Sequence, residues 1–249
     1  MASLPKNCGE ILGRVRALVR LYLGGALGGE KMPEDENPAL LPGSEQNLLY
    51  FTLPMALNYQ RDSYKLWAAA KKTFSDSSTR FVFDLAAVMA ASVEDVRAAL
   101  VKYGVALQPN RHVEIWRRIA GTFCSCGVGG FFASCGYDVL KVKAYIAEHK
   151  KDFPYLSGPK ILNYWLYVMG RYGGLELAGR EHISVAPDTH VIQASVRLGL
   201  ITPDDAVAAD ARERVAELWR ELLEGSGMLP IDVHTPLWLW SRGGFRQAV

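Results

Sequence analysis

Residues 156–169 read LSGPKILNYWLYVM. A Ser-Gly-Pro turn opens the stretch, and proline just inside a helix start is well tolerated because its missing N–H has no intrahelical partner there. After Lys160 come Ile161, Leu162, Tyr164, Trp165, Leu166, Val168 and Met169. Apolar residues on nearly every side predict a helix buried on most of its faces. Lys160, at the mouth of this run, is the anomaly. Burial disfavours the charged form of an amine. Two readings stand: a surface lysine whose stem covers apolar neighbours, or an amine kept partly dry because it does chemistry.

Working outward, helical spacing recurs along the chain. Residues 8–27 place Ile11, Leu12, Val15, Leu18, Val19 and Tyr22 at helical intervals, with Arg14, Arg16 and Arg20 between them. The stretch 30–46, EKMPEDENPALLPGSEQ, reads as a loop before an apolar helix near 46–58. Helices are predicted at 62–74, 78–90 and 92–103, the last with a Ser92/Asp95 capping pattern and a stop at Gly104. Another is predicted at 111–123. The glycine-rich CSCGVGGFFASCG, 124–136, reads as a flexible turn region, and 137–148 is amphipathic. A glycine-rich loop, RYGGLELAGREHISVAP at 171–187, precedes a helix that Asp188 opens. TPDDAVAADARERVAELWRELLEG, 202–225, reads as one long amphipathic helix, and 232–242 as a short final one. Strand alternation is almost absent, so the class is all-α.

At 249 residues the chain is long enough for one sizeable core or two smaller ones. Its 28 basic residues against 26 acidic permit DNA binding without arguing for it. No apolar run reaches the roughly 18–20 residues of a membrane span, and Lys6 and Glu10 stand where a signal sequence would turn apolar. The expectation is an intracellular protein with no membrane partner. The cysteines, Cys8, Cys124, Cys126 and Cys135, lack disulfide-framework spacing. The C-x-C-x8-C set has no evident fourth ligand, so no metal and no cofactor is expected.

Two stretches carry chemistry. YLSGPKILNY seats Lys160 behind a glycine turn; VAPDTHVIQASVRLGL, 185–200, puts Asp188 at an N-cap, then His190, and Arg197-Leu198-Gly199 further on. Together with LPIDVHTPLWLWSRGG, 229–244, they resemble the helix-hairpin-helix DNA glycosylase superfamily, most nearly its archaeal 8-oxoguanine branch. The resemblance implies a two-lobed all-α fold with a DNA cleft between the lobes. On this reading residues 1–57 pack with the C-terminal lobe, 58–160 form a middle bundle leading into the hairpin, and 161–249 carry the catalytic aspartate. It implies a monomer acting on damaged double-stranded DNA in the cytoplasm, associated with the nucleoid. The activity implied is excision of 8-oxoguanine followed by strand cleavage, with Lys160 as nucleophile and Asp188 as its acidic partner. Trp67 and Trp238 fall where that branch sandwiches the base, and His234 stands where it has an aspartate used in base recognition. Gln46 and Asn58 are further candidates for contacts to the base edge. Ser157, Gly158, Thr189 and His190 are candidates for the DNA backbone.

The chemistry suits these residue types. Attack of a neutral amine at the sugar C1′ expels the base and leaves a Schiff base, and proton loss at C2′ then permits β-elimination. A carboxylate stabilises the cationic sugar and manages protons. Each residue also has a plainer reading. Asp188 reads as a helix cap, His190 as a polar residue at a helix start, and a lone helical tryptophan such as Trp67 or Trp238 as core. The hairpin keeps only Gly158 where the family has two glycines, and no cysteine lies beyond Cys135 to hold an iron–sulfur cluster. Two alternatives remain: the same fold acting on an oxidised pyrimidine or alkylated purine, or a non-catalytic helix-hairpin-helix DNA-binding module.

Overall fold

The structure, a computed structural model, describes residues 4–28 and 32–249; the first two residues of the loop at 30–46 thus lie outside the described residues. The protein is all-α. Among the described residues there are thirteen α-helices and no strand, only an isolated bridge between Asp138 and Ala178. In chain order the helices are α1 (Cys8–Leu23), α2 (Glu45–Thr52), α3 (Ser63–Ser75), α4 (Leu85–Ala90), α5 (Val93–Lys102), α6 (Pro109–Phe123) and α7 (Gly127–Ser134). They continue as α8 (Val139–Glu148), α9 (Pro159–Arg171), α10 (Thr189–Leu198), α11 (Pro203–Ala206), α12 (Ala211–Leu223) and α13 (Pro230–Arg242). Among the described residues no helix is long and apolar enough to cross a membrane.

Two compact units divide the chain: residues 1–30 with 180–249, and residues 31–179. The expected boundaries at 57 and 160 therefore move. Residues 32–57 and 161–179 belong with the middle bundle, because α9 finds its core partners there. Trp165 on α9 donates its indole N–H to Thr52 Oγ1 on α2 at 3.0 Å, and its ring lies 5.1 Å from that of Phe132 on α7. Ile161, Leu162, Trp165, Leu166, Val168 and Met169 are all buried, as the apolar run requires. Burying each such side chain contributes about 1.5–3 kcal/mol.

The glycine-rich stretch expected to be a flexible turn forms α7. Its cap comes from α2: the Glu45 carboxylate accepts from the Val128 amide at 2.6 Å and the Gly129 amide at 2.9 Å. An anion at a helix N-terminus satisfies orphan donors and meets the positive end of the dipole. Gly127, at φ +72°, is required here, since a Cβ would sit 2.8 Å from that carboxylate.

In the other unit, α1 buries Ile11, Val15 and Leu18. Arg14 on α1 is spent internally, donating to the carbonyls of Leu198 and Arg197 at 3.2 Å each and of Val249 at 3.1 Å. It satisfies the last carbonyls of α10, where a cation is favoured. The single long helix expected at 202–225 is two. Thr202 and Asp205 close a capping box on α11, and Arg214 of α12 pairs with Asp205 at 2.8 Å across the break.

Candidate active site

In the middle unit, Lys160 sits at the second position of α9, behind the N-cap Gly158 and Pro159. The turn before it is held tightly. The Ser157 amide donates to the Phe153 carbonyl at 2.9 Å and the Gly158 amide to the Tyr155 carbonyl at 3.0 Å. A Cβ on Gly158 would approach the Tyr155 oxygen to 3.1 Å, which is the local reason for glycine. Tyr155 adopts φ +60°, an uncommon conformation for a bulky residue. Its ring is bracketed by Tyr59, stacked at 4.9 Å, and by the Arg111 guanidinium at 4.9 Å. The backbone amides of Ser157 and Gly158, two of the residues expected to meet the DNA backbone, are thus engaged inside the turn. The α9 N-terminus has no side-chain cap.

Lys160 itself is exposed, so burial is not what sets it apart. Along the same helix stripe, one turn on, stands Tyr164. Its hydroxyl donates to Glu34 Oε2 at 3.0 Å. Glu34 is completely buried, and desolvation pushes its carboxyl up to about 7 despite the tyrosine's hydrogen bond. The Trp67 indole N–H approaches the same carboxyl closely enough to favour its charged form, yet neither Trp67 Nε1 nor Glu34 Oε1 makes a well-aligned hydrogen bond. Trp67 has no exposed surface and packs against Tyr50 and Phe51, with ring centroids at 5.8 and 5.5 Å. It occupies a core position; a stacking partner for a base needs an open face. Asn58 accepts from the Ser63 hydroxyl at 2.9 Å. Gln46 is exposed at a groove of about 670 Å³ that Arg80, Phe83 and Asp84 also line.

In the other unit, Asp188 caps α10. Its Oδ1 accepts from the amides of His190 and Val191, both at 3.0 Å. The plainer reading of this residue therefore holds, and it leaves the carboxylate fixed in orientation. Thr189 is exposed at the first helical position. The His190 ring meets Trp238 edge-on at 5.5 Å, and its Nδ1 lies 3.2 Å from Ser241 Oγ. Ser241 directs its own hydrogen to Gln193 Oε1 at 3.0 Å, which assigns the shared proton to His190 Nδ1.

Trp238 is half-buried and carries the Arg242 guanidinium over its ring at 4.9 Å. His234, one turn earlier on α13, is 5 % exposed. The Ala186 amide donates to its Nδ1 at 3.4 Å, a long bond that places the proton of a neutral ring on Nε2. One face of α13 thus meets the segment that leads into Asp188. Asp188, Thr189, His190, His234 and Trp238 form one cluster in this unit. Lys160, Ser157 and Gly158 form another in the middle unit, with Trp67 and Gln46 elsewhere in it.

Residues the spacing did not single out include Ser241, which ties His190 to Gln193, and the stacked pair Tyr59–Tyr155. Among the described residues no group of three His, Cys, Asp or Glu is placed to hold a metal ion. Cys124 and Cys126 are exposed while Cys135 is buried. No protein-family model matches the chain, and no curated protein matches it.

Proposed function

We propose that the protein is a DNA glycosylase with abasic-site lyase activity that removes 8-oxoguanine from double-stranded DNA. The two-lobed helix-hairpin-helix arrangement with a DNA cleft is part of this proposal, as is action as a monomer on nucleoid DNA. One observation carries it: a lysine on the first turn of a helix behind a glycine turn, in a chain where PDTHV, with RLG nine residues after its aspartate, opens another helix.

In this reading the neutral Lys160 amine attacks C1′ and the base departs with the bonding electron pair. The nitrogen lone pair then opens the sugar ring, breaking the C1′–O4′ bond with O4′ taking a proton, and the protonated imine so formed loses a C2′ proton as β-elimination breaks the bond from C3′ to its phosphate oxygen. Lys160 is exposed on the first turn of α9, where its amine can reach a sugar from solvent. Asp188, oriented by two backbone amides, stabilises the cationic sugar. Thr189, exposed at the α10 start, and the His190 side chain are the candidates for a phosphate contact there, the His190 and Val191 amides being held by Asp188. With the Ser157 and Gly158 amides used inside the turn, strand contact near the hairpin would fall to the amides after Gly158, in the first turn of α9. Trp238, half-buried on α13, is the aromatic side chain on which the extruded base would stack.

A second reading, the same fold acting on an oxidised pyrimidine or alkylated purine, is favoured by His234. That imidazole is nearly buried and its Nδ1 is occupied by a backbone amide. An imidazole, which can donate, stands where the 8-oxoguanine branch has a carboxylate, which only accepts. Borohydride trapping on duplexes carrying 8-oxoguanine, an oxidised pyrimidine, an alkylated purine or no lesion separates the readings. The proposal expects a covalent adduct on 8-oxoguanine opposite several bases, lost in Lys160→Ala. An adduct confined to another lesion establishes the second reading, and no adduct on any duplex removes the lyase claim.

A further inference from the structure

Tyr59, in the loop between α2 and α3, stacks on Tyr155, with centroids 4.9 Å apart and planes 30° from parallel. It is still 49 % exposed, and among the described residues Tyr155 is its one ring contact. A flat aromatic surface therefore faces water at this point of the middle unit.

The backbone holds this pair in strained conformations. Of the five non-glycine residues at positive φ among the described residues, two belong to this spot: Tyr155 at +60° and Gln60, next to Tyr59, at +49°. Such conformations persist only where neighbouring contacts impose them. Arg61 donates to the carbonyls of Val105 at 2.7 Å and Gly104 at 3.1 Å, and Asn58 accepts from the Ser63 hydroxyl at 2.9 Å. Tyr59 and Gln60 are thus anchored on both sides, while the Tyr155 carbonyl accepts from the Gly158 amide at 3.0 Å. Burial does not account for strain around a half-exposed ring. A surface fixed in advance, however, loses little freedom when a ligand lands on it.

The charge beside the rings indicates the ligand. The Arg111 guanidinium lies 4.9 Å from the centre of the Tyr155 ring. Arg111 is exposed in the first turn of α6, at the positive end of a helix that has no side-chain cap. Among the described residues no carboxylate pairs with it. An open aromatic face beside uncompensated positive charge fits a ligand that joins a flat ring to an anion. A nucleotide within a strand is built that way, and single strands are held by aromatic stacking along a cationic track. A base paired in a duplex has its faces covered by its neighbours, so the ring selects an unpaired one.

We propose that Tyr59, backed by Tyr155 and Arg111, is a stacking site for an unpaired base, through which the protein binds undamaged single-stranded DNA. Arg111 meets the phosphates of the same strand. The site rests on the DNA-binding part of the proposed function and not on excision, since it needs neither a lesion nor Lys160 nor Asp188.

The test titrates the full chain into a short undamaged single strand carrying a terminal dye and one central 2-aminopurine. Anisotropy of the dye reads binding. Quenching of 2-aminopurine, whose emission falls on stacking, reads the site. Saturable binding with quenching is expected. Tyr59→Ala is expected to weaken binding about tenfold and remove most of the quenching, while Tyr59→Phe keeps the ring and stays within about twofold of wild type. Tyr59→Leu, which retains apolar bulk against Tyr155 without a flat face, is expected to behave as Tyr59→Ala does. Wild-type binding without quenching, or quenching that survives in Tyr59→Leu, overturns the proposal and leaves the DNA reading standing. Absence of any binding to the single strand overturns it as well, and the trapping assay on duplexes then decides the excision reading separately.

Discussion

Two helices that carry the proposed chemistry begin in opposite ways. The α10 N-terminus is closed by its own residue: Asp188 accepts from two first-turn amides. The α9 N-terminus follows Gly158 and Pro159 and takes no side-chain cap, with Lys160 at its second position. An N-terminus capped by a carboxylate has its orphan donors and its dipole partly satisfied from within. One without such a cap keeps its positive end for an anion from outside. The comparison divides the labour: the α10 start holds a carboxylate still, and the α9 start, without a side-chain cap, is where the proposed function seats a phosphate beside a lysine.

Substitutions at the two starts are the strongest way to break that division. Lys160→Ala is expected to lower excision about 10³-fold or more while leaving the urea midpoint almost unchanged, because the side chain is exposed. Asp188→Asn keeps a side-chain oxygen for the cap, so stability is expected within about 0.5 kcal/mol of wild type while excision falls about 10²- to 10⁴-fold. Asp188→Ala loses both, with a stability cost of about 0.5–2 kcal/mol. If Asp188→Asn retains full excision, the carboxylate is a cap and nothing more.

The two tryptophans sharpen the contrast between units. Trp67→Ala is expected to cost about 3–5 kcal/mol in chemical denaturation, since it empties a core site between Tyr50 and Phe51. Trp238→Ala, at a half-buried ring, is expected to cost less stability and to weaken lesion binding more.

Beneath α9, Glu34 sets a pH dependence. Its carboxyl is neutral in the folded state below about 7 but ionises near 4.5 when unfolded. The folded state therefore binds the extra proton, and stability falls as pH rises from 4.5 through 7, levelling off above. Glu34→Gln keeps an acceptor for the Tyr164 hydroxyl. At pH 8 it is expected to stabilise the protein by up to roughly 3 kcal/mol, with little change at pH 4.5, read from urea melts at both values. A smaller effect, about 1 kcal/mol, is expected for Gly158→Ala from its close approach to the Tyr155 carbonyl.

Helix content was legible because each core helix carries its own apolar stripe and its own stops. Ser92 does cap α5 through the Asp95 amide, at 3.0 Å, as the local spacing implied. The misread elements depend on partners distant in sequence. The cap of α7 is Glu45, 83 residues away, and no local pattern in CSCGVGG announces it. The break between α11 and α12 was in principle readable from Thr202 and Asp205, but the amphipathic spacing on both sides masked it. At the candidate site, the turn and the Asp188 cap were visible as short motifs. The burial of Trp67 follows from the aromatic cluster around it, and the backbone clamp on His234 from the fold. The Tyr59 stack was hidden for a related reason. Both tyrosines fall outside the helical patterns, and only the fold sets the rings of positions 59 and 155 together.

The central claim is that Lys160 carries the covalent bond to the sugar. The direct measurement is proteolytic mapping of the adduct trapped by borohydride on an 8-oxoguanine duplex. The account predicts the sugar remnant on the peptide containing Lys160, and no adduct there with Lys160→Ala. A remnant mapped to any other lysine, or base release with no trapped adduct, contradicts it.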